Sequence, residues 1–227
     1  MIVVPPPAAA LSVSPVRVEL AGAGTATIRL TNTGSVRAVI DGARAGFAID
    51  ARGRPRTAAL RDSGVEVLVR PQRLVLAPGA AAAATIRVRL GRDASPGDHA
   101  SLVVFATRPR SAGGVGVQLR VGVIVVVRAP GAVVHRLRLV RVRLVRRTVE
   151  IDVRNRGNVV ERLGPAALRV RIVRGGRVLR RLRVPVRELL PGGRALLRLA
   201  APPTQGRIVV ELDGGDGSTV RAVRAGV

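Results

Sequence analysis

Along most of the chain, apolar and polar residues alternate with a period of two. Examples are SVSPVRVEL (12–20), TATIRLT (25–31), TIRVRL (85–90), GVQLRVGV (116–123), RLRLV (136–140), TVEIDV (148–153) and LRVRIV (168–173). Successive side chains of a strand point to opposite faces, so this alternation marks strands that bury one face in a core. Each run is short, rich in Val, Ile or Thr, and bounded by Gly, Pro, Asn or Asp. Helical periodicity is nearly absent, and an all-β fold is predicted. The alternation between 136 and 144 changes phase at Leu139-Val140, which predicts a β-bulge there. Arg174-Gly175-Gly176-Arg177 predicts a two-residue hairpin turn.

Two short patterns occur in the same order in both halves. IRLTNTGS (28–35) parallels IDVRNRGN (151–158), a strand ending in Asn-x-Gly, where Asn and Gly tolerate the positive φ of a tight turn. LAPGAAAAATIRV (76–88) parallels LLPGGRALLRLAA (189–201), a Leu-x-Pro-Gly corner leading into a further strand. The repetition implies two domains with one plan, divided near RAPGAVV (128–134), where Pro130-Gly131 interrupts two strand-rich runs. Residues 12–130 and 131–227 each have the roughly 100 residues that seven short strands of an immunoglobulin-like β-sandwich take. Residues 1–11 read as an N-terminal tail or a signal-peptide remnant. MIVVPPPAAA has no basic start and three prolines in place of an apolar run, while Ala8-Ala9-Ala10 resembles a small-residue cleavage site.

Composition narrows the chemistry. The 227-residue chain has no Cys, which excludes disulfides, thiolate metal sites and cysteine nucleophiles. All 39 basic residues are Arg, against 14 acidic ones, for a net charge of +25. The preference for Arg over Lys fits a GC-rich codon usage. The shortage of acids does not, because Asp and Glu codons are also GC-rich, so the charge points to polyanionic partners. The longest apolar stretch, VGVIVVV at 121–127, is about a third of the length that a transmembrane helix requires, and no such segment is predicted.

Catalytic and metal chemistry have little to work with. A zinc site needs three or four ligands at matched spacing, whereas His99 and His135 stand 36 positions apart with no His-x-x-x-His arrangement. Asp98, His99 and Ser101 contain the residue types of a hydrolase triad. Adjacent strand residues face opposite ways, however, so Asp98 is poorly placed to orient His99. No catalytic residue, metal ligand or cofactor is expected. In immunoglobulin-like sandwiches a Tyr near the start of strand F hydrogen-bonds back to the preceding corner. His99 stands at that place in SPGDHASLVVFAT (95–107), so Asp98 and His99 read as a structural corner. The corresponding segment of the second half, PTQGRIVVEL (203–212), has Arg207 there.

LSVSPVRVEL, IRLTNTGS, VEVLVRPQRLVLAPG and above all SPGDHASLVVFA resemble the extracellular, peptidoglycan-binding-type N-terminal domain of the WxL-interacting surface proteins. The resemblance covers about residues 12–130. It departs where Ser101-Leu102 replaces the Gly-Gly that usually follows the His, and AVRAGV stands where the family carries a membrane anchor. It implies export, tandem immunoglobulin-like domains and a place at the cell wall. More distantly, the chain resembles periplasmic pilus chaperones, with a strand ending VVVRAP (125–130). In those proteins an early Arg and a late Lys hold a subunit's C-terminal carboxylate. Arg17 matches the first, and Ile124 takes the place of the second.

The expected role is therefore that of a non-enzymatic, extracytoplasmic binding or scaffolding protein, wall-associated, secreted or periplasmic. Its expected partners are an anionic wall polymer, another envelope protein or an acidic lipid surface. A pilus-chaperone-like assembly role and nucleic-acid binding are the alternatives. With only Phe47 and Phe105 as aromatics and no helix-turn-helix, zinc-finger or RNP motif, the chain is poorly equipped to bind nucleic acid. The lack of Trp and Tyr also removes the usual platform for stacking sugars. The second half is the more basic, with 22 Arg against 7 acids, compared with 17 against 7 in residues 1–130. In RLRLVRVRLVRR (136–147) and RVLRRLRVPVR (177–187), arginines alternate with aliphatics. That places Arg136, Arg138, Arg141, Arg143, Arg180, Arg181 and Arg183 on solvent faces as candidate polyanion contacts, or as charges that discourage edge-to-edge pairing.

Overall fold

A computed structural model describes residues 10–60, 63–108, 117–201, 206–215 and 219–224. Residues 1–9 of the 1–11 tail, with Ala8 and Ala9 of its cleavage-like triplet, lie outside these residues, as do Pro203, Thr204 and Gln205 of the second corner segment. Among the described residues every regular element is a strand, and the fold is all-β with immunoglobulin-like sandwiches, as the alternation predicts. Two compact units divide the chain. The first comprises Met1–Phe47, Thr57–Ser95 and His99–Pro130, and the second Ala48–Arg56, Pro96–Asp98 and Gly131–Val227. Two short segments of the 12–130 stretch thus group with the second unit, because their backbone bonds go there. The Asp98 N–H donates to Asn158 O at 2.7 Å, and Ala51 O accepts from the Leu196 N–H at 2.7 Å.

In the first unit, β1 (Leu11–Ser14), β3 (Gly24–Asn32), β8 (Ala81–Leu90) and β6 (Val65–Arg70) form one sheet in that spatial order. The other sheet runs β2 (Arg17–Leu20), β10 (Arg120–Ala129), β9 (Gly97–Thr107), β4 (Ala38–Ile49), β5 (Pro55–Ala58), and β7 (Arg73–Leu76) also pairs with β4. SVSPVRVEL reads as one run but forms two strands: β1 pairs antiparallel with β3, whereas β2 pairs parallel with β10. Pro15 lies at the break, where it cannot donate to a ladder. The inward residues, among them Ile28, Leu30, Ile86, Val103, Phe105 and Val125, form a single core. Each such side chain contributes roughly 1.5–3 kcal/mol by leaving water. VGVIVVV is the middle of β10, and this core holds its Val123, Val125 and Val127.

In the second unit, β11 (Leu137–Val145), β12 (Thr148–Asn155) and β17 (Arg194–Ala200) form one sheet, and β13 (Glu161–Leu163) pairs with β16 (Arg187–Leu189). A four-stranded sheet runs β15 (Arg177–Leu182), β14 (Leu168–Arg174), β18 (Arg207–Asp213), β19 (Thr219–Arg224). Its core includes Ile151, Val153, Leu163, Ile172, Leu197 and Ile208. The predicted bulge is present: the β11–β12 register shifts between Leu139 and Arg141, leaving Val140 as the extra residue. The predicted hairpin is present too, with Gly175 at φ 55° and Gly176 at φ 79° joining β14 to β15.

The repeated Asn-x-Gly and Leu-x-Pro-Gly patterns turn out to be one device. Asn32 ends β3 fully buried, and its Nδ2 donates to Val36 O at 2.8 Å and to Leu76 O and Ala77 O at 3.1 Å each. Asn155 ends β12 fully buried, and its Nδ2 donates to Val159 O, Leu189 O and Leu190 O at 2.7, 3.1 and 3.2 Å. In each case Oδ1 accepts the N–H two residues on, from Gly34 at 3.1 Å or Gly157 at 2.9 Å. Asn and Gly of Asn-x-Gly tolerate positive φ, but that conformation falls on the corner glycines, Gly79 at 71° and Gly192 at 73°. The asparagine is a clamp between a strand end and a distant corner, not a turn residue with unusual φ.

Candidate functional site

The bulge decides which arginines share a face. Without it, Arg138 and Arg141 would stand an odd number of residues apart and point to opposite sides of β11. With Val140 inserted, Arg138, Arg141 and Arg143 lie opposite Arg154, Asp152 and Glu150 of β12. On its other side, β12 sets the same three residues opposite Arg194, Leu196 and Arg198 of β17. At one end of this face two acids each hold a β17 arginine. Glu150 accepts from Arg198 Nε at 3.1 Å, and Asp152, whose side chain is only 6% exposed, accepts from Arg194 Nε and Nη2 at 2.8 and 2.5 Å. That hydrogen bond to Asp152 raises the Arg194 pKa above its ordinary value.

At the other end the acids run out. Arg138, Arg154 and Arg194 form a cross-strand row of three like charges. Arg156 follows β12, and its backbone N–H is held by Arg136 O at 2.7 Å. Together with Val140, these four arginines line a concavity of about 360 Å³. Among the described residues, no carboxylate pairs with Arg138, Arg154 or Arg156. Like charges directly opposed on a sheet are destabilising, so this row does not arise from the demands of folding.

The first unit shows the fold without the charge. Its β1, β3 and β8 correspond to β11, β12 and β17, and Asn32 superposes in role on Asn155. The register that pairs Arg154 with Arg138 and Arg194 pairs Thr31 with Ser12 and Ala81. Thr33 is the counterpart of Arg156, and its N–H is held by Ala10 O at 3.0 Å. Ser12, Thr31, Thr33 and Ala81 therefore occupy the places of four arginines.

The seven arginines singled out from the sequence do not form one surface. All are exposed, but Arg138 alone lines the four-arginine concavity. Arg136 precedes β11, and Arg141 and Arg143 sit opposite Asp152 and Glu150. Arg180, Arg181 and Arg183 lie on or just after β15, the edge of a different sheet. Of the β15 aliphatics only Leu182 packs partly against the core; Val178 and Leu179, on this edge strand, are 43% and 45% exposed, unlike what the alternation implies. Arg181 and Arg183 line a second, largely apolar concavity of about 380 Å³, which also holds Arg169 and Arg171. Glu211 pairs with both of the latter. Local alternation does not mark Arg154, Arg156 and Arg194, although aligning the two Asn-x-Gly and Pro-Gly repeats places all three.

At the corner, His99 Nε2 lies 2.7 Å from Ser95 O, an imidazole N–H donating to a backbone carbonyl on a solvent-facing, half-buried side chain. Asp98 is buried, and its Oδ2 accepts the Val160 N–H at 2.7 Å. Arg17 and Ile124 are direct partners in the β2–β10 register. Arg17 Nε donates to Glu19 at 2.6 Å, and Ile124 brings no second cation beside it. Among the described residues no group of three or more His, Asp or Glu is placed to hold a metal ion, and no helix is long and apolar enough to cross a membrane.

The architecture is shared with solved structures. The class 5 fimbriae chaperone CfaA aligns over 96% of this chain and 100% of its own, with a TM-score of 0.57 and 12% identity. A chain of the Salmonella enterica SafA pilin–SafB chaperone complex aligns over 95% and 96%, at 0.52 and 16%. A chain of the CsuC–CsuE chaperone–tip adhesion subunit complex of Acinetobacter baumannii aligns over 94% and 97%, at 0.52 and 14%. At such identities the likeness is one of fold. No curated protein matches the sequence. Residues 7–136, more than half of the chain, match the model described as a domain of unknown function, DUF4232, and to that family the chain belongs.

Proposed function

We propose that the protein is a non-enzymatic binding or scaffolding module of the cell envelope, acting outside the cytoplasm, that engages an anionic wall polymer through the arginine row of its second unit. The observation that carries this reading is the row itself. Arg138, Arg154 and Arg194 are opposed as like charges where the first unit, in the same register, has Ser12, Thr31 and Ala81. A feature that costs stability and that the scaffold does without elsewhere is best explained by a ligand. The resemblance of residues 12–130 to the WxL-interacting surface proteins supports the envelope setting. Without Trp or Tyr, contact with a wall polymer rests on guanidinium groups and backbone hydrogen bonds rather than on sugar stacking.

The test is retention of the purified chain on isolated cell wall at low and high salt, with duplex DNA as the control polyanion. Retention on wall that falls steeply with salt supports the reading. Salt-independent retention, or stronger binding to DNA than to wall, contradicts it. Cell fractionation addresses location: the protein found solely in the cytosol overturns the envelope setting.

A second reading, an assembly factor for another envelope protein, is favoured by the near full-length alignment with fimbrial chaperones. The pairing of Arg17 with Glu19 and the apolar Ile124 argue against a chaperone-type grip on a C-terminal carboxylate. A peptide that binds with a free C-terminus but not when amidated would restore it.

A further inference from the structure

The structure points beyond a general affinity for polyanions: we infer that the concavity of Arg138, Arg154, Arg156 and Arg194 is a site for a charge-dense phosphoryl group, a terminal phosphomonoester or a diphosphate. This inference rests on the polyanion reading above and narrows it to one ligand chemistry. Four arginines line a space of about 360 Å³, and the one carboxylate paired among them, Asp152, is engaged by Arg194 through both of its oxygens. Three positive charges are left without a paired counter-charge. A carboxylate polymer presents single charges spaced along its chain and would satisfy them one at a time. A phosphomonoester carries close to two negative charges and three acceptor oxygens on one atom, and a diphosphate more. The planar guanidinium fork matches such oxygens in a bidentate way. Arg194 is pre-set for that task, because Asp152 fixes its orientation from below and leaves it mostly exposed.

The other concavity lined by four arginines, Arg169, Arg171, Arg181 and Arg183, differs in setting: Glu211 engages two of them, Arg169 and Arg171, and the rest of its lining is apolar, with Leu168, Val170 and Val184 among it. Arg180 stands on the β15 edge and lines neither concavity, so it serves as the internal control.

Isothermal titration of sodium pyrophosphate into the full chain, with acetate as the comparison, tests the inference. Saturable binding of one pyrophosphate per chain, with no heat from acetate, is expected. The Arg154→Thr/Arg156→Thr variant should weaken that binding by about tenfold or more, while Arg180→Ser changes it by less than about twofold. Vesicles distinguish the source of the phosphoryl group. Capture by phosphatidic acid but not by phosphatidylglycerol supports a lipid-borne monoester, and pyrophosphate binding without capture by either supports a soluble or polymer-borne one. Wall retention without any pyrophosphate binding, or pyrophosphate binding that survives in the Arg154/Arg156 variant, overturns the phosphoryl site and leaves the polyanion reading standing. Failure of the wild-type chain to be retained on wall at low salt overturns the polyanion reading itself.

Discussion

The two units carry the same clamp and the same strand register, yet they place opposite kinds of residue on the outer face beside it. Asn32 and Asn155 each hold a strand end to a Pro-Gly corner through the same pattern of carbonyls. One residue before the clamp and one after it, the first unit has Thr31 and Thr33, and the second has Arg154 and Arg156. The clamp is what the fold needs. The arginines are what the second unit adds, and the opposed charges at Arg138, Arg154 and Arg194 make that addition a cost to folding.

The strongest way to break this comparison is to cut the clamps. Asn32→Ala and Asn155→Ala each leave buried or partly buried carbonyls without a donor, and each should destabilise its own unit by about 1–3 kcal/mol. Amide hydrogen exchange read by mass spectrometry resolves the units, and unequal losses would show that the clamps are not equivalent. His99 gives a smaller effect. Because its bond to Ser95 O faces solvent, His99→Ala should cost about 0.5–1.5 kcal/mol in urea unfolding. A fully stable variant would remove the corner role. Grafting charge onto the first unit sharpens the comparison: Ser12→Arg/Thr31→Arg should destabilise that unit by about 0.2–1 kcal/mol, the cost of opposing like charges. A stabilised graft would mean that the second unit's row costs nothing.

The smallest effects concern acid. Hydrogen bonds from Arg73 and Arg108, each at 2.7 Å, hold the Asp41 pKa below its ordinary 3.8. The Asp50 pKa is likewise lowered, chiefly by the Arg54 N–H and, once the opposing desolvation is set aside, by Arg56. A lowered folded pKa means that the stabilisation is present above about pH 4 and is lost as the pH falls through that folded value. Asp41→Asn should flatten the acid unfolding curve of the first unit and Asp50→Asn that of the second, and an unchanged curve in either would show the exposed pair to be inert.

Much of the fold was legible because strand alternation, the phase change at Leu139-Val140 and the Gly175-Gly176 turn are local signals. The clamp was not. Asn155 reaches carbonyls 34 and 35 residues away, and no local pattern separates a buried amide donor from a turn residue. The site was legible in part for the same reason. Arg138 stood in an obvious alternating run, but Arg154, Arg156 and Arg194 come together only through the register of three strands. Edge position also misled: alternation on β15 resembles that of a covered strand, and only the sheet order shows that its outer side is free.

The central claim is that the arginine row serves binding and not folding. The most direct measurement gives the second unit the first unit's residues, Arg138→Ser/Arg154→Thr/Arg156→Thr, and compares low-salt wall retention and unfolding with the wild type. Retention reduced about tenfold or more, with stability unchanged or higher, is the expected result. Undiminished retention, or a clear loss of stability, would contradict the account.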